Sequence, residues 1–427
     1  MSRRLLSGVC AAAMLACSFV ADAFAQGAPS GFALASANKK PAREISGVPV
    51  GSWIFSPSLF MGFVYNANAN QTQNSRASSW GERVVPSFTA KLDKGIHRTE
   101  LYGLFDLQNY ASSAVDKRTT VDAKAGFIQS YAARRDVTFR FSGDYTRQLD
   151  VFGGLGFASP NSALSLTSPQ SSPTTVSPQV SPDRYNQFSG SASVQKTFNR
   201  AFVVVGTGVQ HTSFDSNPLV TASRDGTVYT LTERTGFYVT PQIYAFLDPS
   251  VDWRRYEAAG RDSSGYRVTA GVGTDRPGMW QGEVFAGYQR QKNDTIGSYS
   301  GDVFGVRLLY TPTRFLTLRG TIDQTLGSTT ISNAVGTASR STSAILNVGY
   351  NGMPSGWSGG ARFGFVHTAI VNSSRIDNGW LVGANVGYSI WRNVGITLDY
   401  QYKNADSNVT GQSFYQHIVS LGLTYKY

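Results

Sequence analysis

The chain has 427 residues, of which 41% are hydrophobic and only 15% charged, and its formal net charge is +11. In soluble domains about a quarter of the residues are usually charged. This chain has fewer charged residues and is rich in glycine (44 residues) and in aromatic residues (12%). Its basic residues are scattered along the chain, with no run of Lys/Arg longer than two, so the composition does not indicate a nucleic-acid-binding protein.

The first residues have the organisation of a secretory signal peptide. Arg3 and Arg4 form a basic region, and a short apolar run follows them. Ala23 and Ala25 then supply the small side chains that signal peptidase requires, which predicts removal of residues 1–25. The apolar run is too short and too rich in small residues to be a good membrane-spanning helix.

The chain's two cysteines, Cys10 and Cys17, both lie in this segment. A lipoprotein signal that ends at Cys17 is the alternative interpretation, although Leu15 occupies a position that is usually small. After cleavage the mature chain would contain no cysteine. We therefore expect neither disulfides nor thiolate metal sites.

Residues 26–52 show no strand pattern and are predicted to form a loosely ordered periplasmic segment. Residues 53–427 form a series of alternating segments about ten residues long, as is typical of transmembrane β-strands. In residues 137–147, aromatic side chains alternate with polar ones that include Arg140 and Asp144. An Arg facing lipid at the bilayer midplane costs about 2–4 kcal/mol, so the polar set is predicted to face a lumen.

Short and long connections separate these segments alternately. The eight short ones are rich in Gly, Pro, Asn and Asp and are predicted to be tight turns: 93–95, 134–136, 199–200, 247–250, 275–278, 311–314, 351–356 and 391–393. Nine longer polar connections lie between them, the longest being 148–184, in which 151–157 either narrows the pore or belongs to a surface loop. These numbers predict an all-β, antiparallel, up-and-down barrel of about 18 strands, with 16 as the alternative.

The final strand alternates aromatic or aliphatic residues with small or polar ones, and the sequence ends on an aromatic residue. Its apolar face is predicted to meet lipid and to act as the signal recognised by the barrel-insertion machinery. This predicted assembly signal consists of Tyr415, Val419, Leu421, Leu423, Tyr425 and Tyr427.

No motif predicts catalysis or cofactor binding. The four histidines have no metal-ligand spacing. The one Gly-x-Ser-x-Gly match, residues 356–360, runs from a predicted turn into a predicted strand and lacks the following helix that the nucleophile motif requires. We therefore predict that the protein is not an enzyme and that it has no catalytic, cofactor or metal site.

Charged residues at inward positions of the predicted strands are the candidate pore-lining residues: Arg140, Asp144, Arg267, Glu283, Arg307, Arg319, Asp323, Arg362 and Asp399. One interpretation is that these charges pair and stiffen the wall. Arg140 with Asp144, and Arg319 with Asp323, are spaced four apart on one strand, and pairing between neighbouring strands is the alternative. The other interpretation is that a basic excess favours anions in a water-filled pore.

The segment Tyr310 to Gly320, the residues 247–250 and the closing strand resemble the β-barrel porin family of proteobacterial outer membranes. The resemblance covers about residues 51–427. It implies an outer-membrane location, and some relatives are associated with exopolysaccharide production and export. It supplies no catalytic residues.

The predicted function is passive passage of small hydrophilic solutes, including anions, across the bacterial outer membrane. The alternatives are a conduit or accessory barrel for exopolysaccharide export and a structural barrel with a plugged lumen. Both termini are predicted to be periplasmic. The expected partners are outer-membrane lipid and lipopolysaccharide, the insertion machinery, and the solute or polysaccharide, but no nucleic acid.

Overall fold

The computed structural model describes residues 47–74, 76–115, 118–149, 184–215, 225–274, 279–293, 295, 297–328, 338–352, 356–371 and 373–427. The predicted signal peptide with Ala23 and Ala25, most of the predicted periplasmic segment and the interior of the predicted loop 148–184 lie outside these residues. Within the described part of the chain, no helix is long and apolar enough to cross a membrane.

The described residues form nineteen strands. The first ten are β1 Val48–Val50, β2 Trp53–Asn66, β3 Ser79–Asp93, β4 His97–Tyr110, β5 Thr119–Arg134, β6 Val137–Leu149, β7 Arg184–Thr197, β8 Ala201–Phe214, β9 Gly226–Tyr238 and β10 Ile243–Tyr256. The others are β11 Ser263–Thr274, β12 Trp280–Asn293, β13 Gly297–Tyr310, β14 Leu316–Ser328, β15 Ala338–Gly352, β16 Trp357–Ile370, β17 Ile376–Ser389, β18 Val394–Ser407 and β19 Phe414–Lys426.

Strands β2 to β19 form a closed antiparallel barrel. Each pairs with the next along the chain, and β19 pairs with β2 from Ile418 opposite Asn66 to Lys426 opposite Ser58. The predicted barrel is therefore confirmed, and the count of 18 strands is correct rather than 16. Closure matters because an open sheet edge would leave unpaired N–H and C=O groups in lipid.

The two ends of the barrel differ in their connections, as predicted. At one end β5 stops at Arg134 and β6 begins at Val137, whereas at the other end β6 stops at Leu149 and β7 begins only at Arg184. We call these the short-turn end and the loop end. The long connection predicted at 291–300 is wrong, because β12 continues to Asn293 and β13 already begins at Gly297.

The predicted turn at 247–250 is also wrong. These residues lie inside β10, where Pro249 stands opposite Val268 of β11. The turn between β9 and β10 lies earlier, where the hydroxyl of Thr240 accepts hydrogen bonds from the N–H groups of Gln242 and Ile243 at 3.3 and 3.0 Å. The composition of 247–250 suits a turn, but Pro occurs in a strand when it interrupts one ladder.

Residues 26–52 were expected to contain no strand, yet β1 lies at the end of this segment. β1 pairs with the start of β2, with Val50 opposite Trp53, through a turn in which Gly51 has a φ of 60°. The N–H of Tyr427 reaches the carbonyl of Pro57 at 3.3 Å. Strand β19 and then β1 thus cover successive parts of the same edge of β2. Strand β1 has only three residues, which are too few to show the alternation that predicts a strand.

Candidate functional site

Alternating side chains divide each strand into a lipid face and a lumen face. On β12, Val284 and Tyr288 are exposed, whereas Glu283, Phe285 and Gln289 are buried. The sheet's curvature shows which face is inside. Arg234 of β9 forms an ion pair with Glu283 of β12 across two intervening strands, a separation of roughly 14 Å along the sheet. Such a contact is geometrically feasible only on the concave side.

By the same alternation, all nine candidate pore-lining residues lie on the lumen face. Exposed apolar residues precede or follow most of them on the lipid face, such as Phe141 after Arg140 and Val268 after Arg267. The lumen-face set is Arg140, Asp144, Arg267, Glu283, Arg307, Arg319, Asp323, Arg362 and Asp399.

Glu283 is the centre of a charged cluster on β9 to β14. One of its oxygens accepts from Nη1 of Arg234 at 3.1 Å, and the other accepts from Nη1 of Arg307 at 2.8 Å. Arg234 also binds Asp248 at 2.6 Å, and Arg307 lies 3.9 Å from Asp323. The Glu283 side chain is only 1% exposed, so its charge depends on these two guanidinium groups for compensation.

Aromatic rings support this cluster from the wall. The guanidinium of Arg234 lies 4.4 Å from the ring centre of Phe246, and that of Arg307 lies 5.2 Å from the ring centre of Phe285. Gly305 makes the second contact feasible, since a Cβ at this position would come within 2.3 Å of Phe285 Cζ. Side-chain packing therefore thickens the lumen wall in this sector.

A second ion pair lies between β3 and β4. Arg83 binds Asp106 through two nitrogens, with Nε–Oδ1 and Nη2–Oδ2 distances of 3.0 and 2.7 Å, and its Nη1 donates to Ser420 of β19 at 3.2 Å. A bidentate pair of this kind fixes both position and orientation. It braces the wall next to the closing seam.

The two predicted pairs within one strand do not describe the observed partners. Asp144 accepts a hydrogen bond from Ser189 of β7 at 2.6 Å, and the arginine nearest to Asp323 is Arg307 of β13. Pairing between strands, the alternative interpretation, is what the structure shows here. Side chains that are directly opposite on neighbouring strands are closer than residues four apart along an extended chain.

Arg319 has no ion-pair partner among the described side chains. It is 4% exposed, and its Nε and Nη1 atoms have no hydrogen-bond acceptor in the described part of the chain. Its neighbour on β15 is Asn347, whose Oδ1 accepts from Nε of Arg362 on β16 at 3.1 Å. Two arginines thus flank one amide on the lumen face.

Sequence reasoning missed Arg234, Asp248 and Arg83 as members of these clusters. Asp248 was assigned to the false turn at 247–250, which also disturbed the register around Arg234. The alternation of Thr230, Thr232 and Arg234 along β9 contains the missing signal, since all three fall on the lumen face.

The predicted assembly signal lies on the lipid face of β19. Tyr415, Leu421, Leu423, Tyr425 and Tyr427 are exposed, and Val419 shares their register. At the short-turn end of other strands, Trp280 stacks on Tyr310 with ring centres 3.7 Å apart. Such aromatic residues are typical of the interfacial girdles of outer-membrane barrels. The role of β19 in assembly stays a prediction.

Within the described residues, no group of three or more His, Cys, Asp or Glu side chains is arranged to hold a metal ion. The charged clusters instead combine arginines with carboxylates. They are suited to bracing the wall and to setting the electrostatic potential of the lumen.

A family model described as "Putative beta-barrel porin 2" matches residues 40–427. The chain belongs to this family. Membership makes it an outer-membrane β-barrel and points to a channel rather than an enzyme. The residues 247–250, which contributed to the predicted resemblance, form part of a strand and not a hairpin turn.

Among solved structures, the chain is similar to OpdK of Pseudomonas aeruginosa, crystallised with vanillate, with 10% identity and a TM-score of 0.43 over 87% of this chain and 99% of that one. It is also similar to the siderophore receptor PirA of Pseudomonas aeruginosa, with 9% identity and a TM-score of 0.41 over 91% and 81% of the two chains. A search of curated proteins gave no match.

Proposed function

We propose that the barrel is a channel through which small hydrophilic solutes diffuse across the outer membrane, with anions preferred over cations. The observation that carries this proposal is Arg319, whose buried guanidinium lies on the lumen face with no carboxylate partner among the described side chains. Fixed positive charge without a partner raises the local concentration of anions in a water-filled pore.

Several other lumen arginines differ in how far their charge is compensated. Arg83, Arg234 and Arg307 are paired with carboxylates, so their charge is largely compensated. Arg267 lies over the ring of Phe285 at 5.5 Å and forms no ion pair among the described side chains. We therefore expect Arg267 and Arg319 to contribute to anion selectivity. A barrel of 18 strands is wide enough to leave an aqueous channel.

Planar-bilayer recordings under a KCl gradient test the proposal. We expect the double variant Arg267→Gln/Arg319→Gln to shift the reversal potential toward cations at low salt. The shift is expected to shrink at high salt, where the screening length falls to about 3 Å at 1 M.

The matched control is Arg307→Gln, which removes an arginine that Glu283 already compensates. It is expected to lower thermal stability and to move the reversal potential less than the double variant does. An unchanged reversal potential for the double variant at low salt contradicts the anion preference. A parent protein that conducts no ions supports the plugged barrel instead.

The termini and partners extend the same proposal. Strand β19 ends at the short-turn end, and short turns face the periplasm in barrels of this type, which supports a periplasmic location for both termini. The lipid face would contact outer-membrane lipid and lipopolysaccharide, and β19 would be recognised by the insertion machinery.

A polysaccharide conduit is the second candidate, and the lumen aromatic residues favour it. Phe202, Tyr244, Phe246 and Phe285 form one cluster on the lumen face of β8 to β12. Sugar rings stack on exposed aromatic faces, yet Phe202 and Tyr244 are packed against each other with ring centres 5.6 Å apart. Block of the ionic current by an acidic oligosaccharide, abolished in Phe285→Ala, would support this candidate over simple diffusion.

A further inference from the structure

The ladder between β13 and β14 stops halfway along the strands. Pairing runs from Tyr310 opposite Leu318 only as far as Gly305 opposite Asp323. On the outer sides of the same two strands, pairing continues to the loop end, with Gly297 opposite Asn293 and Ser328 opposite Ala338. The strands themselves are intact, but no backbone ladder joins them in the loop-end half, which we call the open half of the seam.

Proline does not explain this interruption. The β3–β4 and β9–β10 ladders are also interrupted, at Pro86 and Pro249, and both resume beyond the proline. Neither β13 nor β14 contains a proline, and their ladder does not resume among the described residues. The separation is therefore a feature of how the two strands pack.

Gln289 of β12 bridges the seam on the lumen side. Its Nε2 donates to the carbonyl of Leu326 at 2.9 Å, and its Oε1 accepts from the N–H of Leu326 at 3.3 Å. Gln289 is paired with Gly301 of β13, so its side chain passes over β13 to reach β14. A Cβ on Gly301 would lie 3.4 Å from Leu326 Cδ1, which places β14 on the lumen side of β13 at this level.

Gln324 of β14 bridges the seam a second time. Its Nε2 donates to the carbonyl of Asp302 on β13 at 2.8 Å, and its Oε1 accepts from the hydroxyl of Thr342 at 3.1 Å. Two glutamine side chains thus replace the backbone ladder in this half of the seam. Side chains change rotamer without breaking a strand, so separating β13 from β14 here breaks side-chain contacts rather than a backbone ladder.

The open half of the seam has a different chemistry on each side. On the outer face, Phe304 is exposed next to the last paired residue, and Ser300 and Asp302 are exposed nearer the loop end, whereas Gln289 is buried on the lumen face. A molecule that passes between the strands would need an apolar part compatible with lipid and a polar part compatible with the lumen. Unpaired backbone is stable at membrane depth only where protein or water covers it.

We propose that the loop-end half of the β13–β14 seam is a lateral opening between the lumen and the outer leaflet. It admits amphipathic molecules that carry a single alkyl or acyl chain, with the chain entering the lipid and the polar end remaining in the lumen. This opening is independent of ion selectivity through the barrel.

Cysteine labelling from the lipid phase tests the opening. Val303 lies on the lumen face of β13 beside the seam and is 1% exposed. The matched control is Thr269 of β11, which is 3% exposed. Thr269 is opposite Gly287 of β12, and Gly287 is opposite Val303 of β13, so Thr269 and Val303 lie at the same level of the barrel. Strand β11 is paired along its length with both β10 and β12, and β12 separates it from β13 and the seam.

Single variants Val303→Cys and Thr269→Cys are reconstituted in phosphatidylcholine vesicles and labelled with N-dodecylmaleimide in the bilayer. A sulfonated, water-soluble maleimide measures access through the lumen, and each lipid-phase rate is divided by the corresponding water-phase rate. The parent chain reports any labelling of Cys10 or Cys17, and heat-modifiable migration in gels confirms folding.

The proposal expects the normalised rate at Val303→Cys to exceed that at Thr269→Cys severalfold. It expects a further severalfold increase when Gln289→Leu is added, because one of the two bridges is lost, and no change at Thr269→Cys. Equal normalised rates at the two positions, with or without Gln289, overturn the proposal.

Discussion

At the scale of single residues, one residue type has two roles in this lumen. Arg234 and Arg307 hold Glu283 between them, whereas Arg319 has buried N–H groups without an acceptor among the described side chains. Burying a charge is costly unless a partner compensates it. The paired arginines are thus explained by the stability of the wall. For the N–H groups of Arg319, we expect a solute or water to supply the acceptor.

The Glu283 cluster leads to a stability prediction. Glu283→Gln keeps the shape of the side chain but leaves two buried guanidinium groups with weaker compensation, since Asp248 and Asp323 remain. We expect a loss of about 3 kcal/mol, measured by thermal unfolding in detergent or lipid. Asp144→Asn serves as the control, because Asp144 is only half-buried and accepts from a neutral hydroxyl. Equal effects of the two changes would contradict the structural role of Glu283.

Asp262, in the connection between β10 and β11, leads to a pH prediction. The N–H of Tyr256 donates to its Oδ1 at 2.8 Å, which lowers the pKa of the carboxyl below its ordinary value of 3.8, and Arg255 adds to the effect. A lowered pKa means that the anchor is complete above about pH 4 and is lost as the pH falls through the lowered value.

We therefore expect the Tyr256 amide to exchange its hydrogen faster in acid than the intrinsic pH dependence accounts for. Asp262→Ala should remove this extra acid response and cost less than about 1 kcal/mol, because the ion-pair partner, Arg255, is exposed. An acid response that persists in the variant would assign it to another group.

The lumen charges show how far the sequence predicts a site. Period-two alternation assigns Arg140, Glu283 and Arg362 to the face that lies on the concave side of the sheet, because one lipid-facing arginine costs more than most local preferences. It does not predict their partners, since these depend on which strands are neighbours and in which register. Arg234 reaches Glu283 only because the sheet curves, and no local pattern contains that curvature.

At the scale of strands, β10 shows why a turn signal is ambiguous. Asp248, Pro249 and Ser250 have the composition of a tight turn, yet the ladder to β9 is interrupted only between Leu247 and Ser250. Proline lacks the N–H that a ladder requires, and the strand tolerates it because the partner ladder to β11 is continuous. Composition alone does not distinguish these two uses of proline.

The closing strand leads to a prediction about assembly. Tyr425 and Tyr427 are exposed on the lipid face of β19. Replacing both by Asp puts two carboxylates where lipid and the insertion machinery are expected, so we expect loss of the heat-modifiable, membrane-inserted form. Thr424→Asp is the control, because Thr424 lies on the lumen face beside Thr397. Normal insertion of the double variant would remove the assembly role.

At the scale of the whole molecule, the asymmetry of the connections was the strongest part of the sequence prediction. Turn residues recur at a spacing that only a meander of long strands explains. This spacing predicted both the barrel and its 18 strands. The β1 hairpin and the half-open β13–β14 seam were not predicted. Both depend on which backbone edges remain available after the barrel closes, and this is a property of the complete fold.

The asymmetry also predicts how the barrel is oriented. Ser374 lies at the loop end between β16 and β17, and Arg392 lies at the short-turn end between β17 and β18, and both are exposed. Short turns of outer-membrane barrels face the periplasm. In intact cells, a membrane-impermeant maleimide should therefore label Ser374→Cys but not Arg392→Cys. Both should be labelled after the outer membrane is permeabilised, and labelling of Arg392→Cys alone in intact cells would mean that the barrel is inserted the other way round.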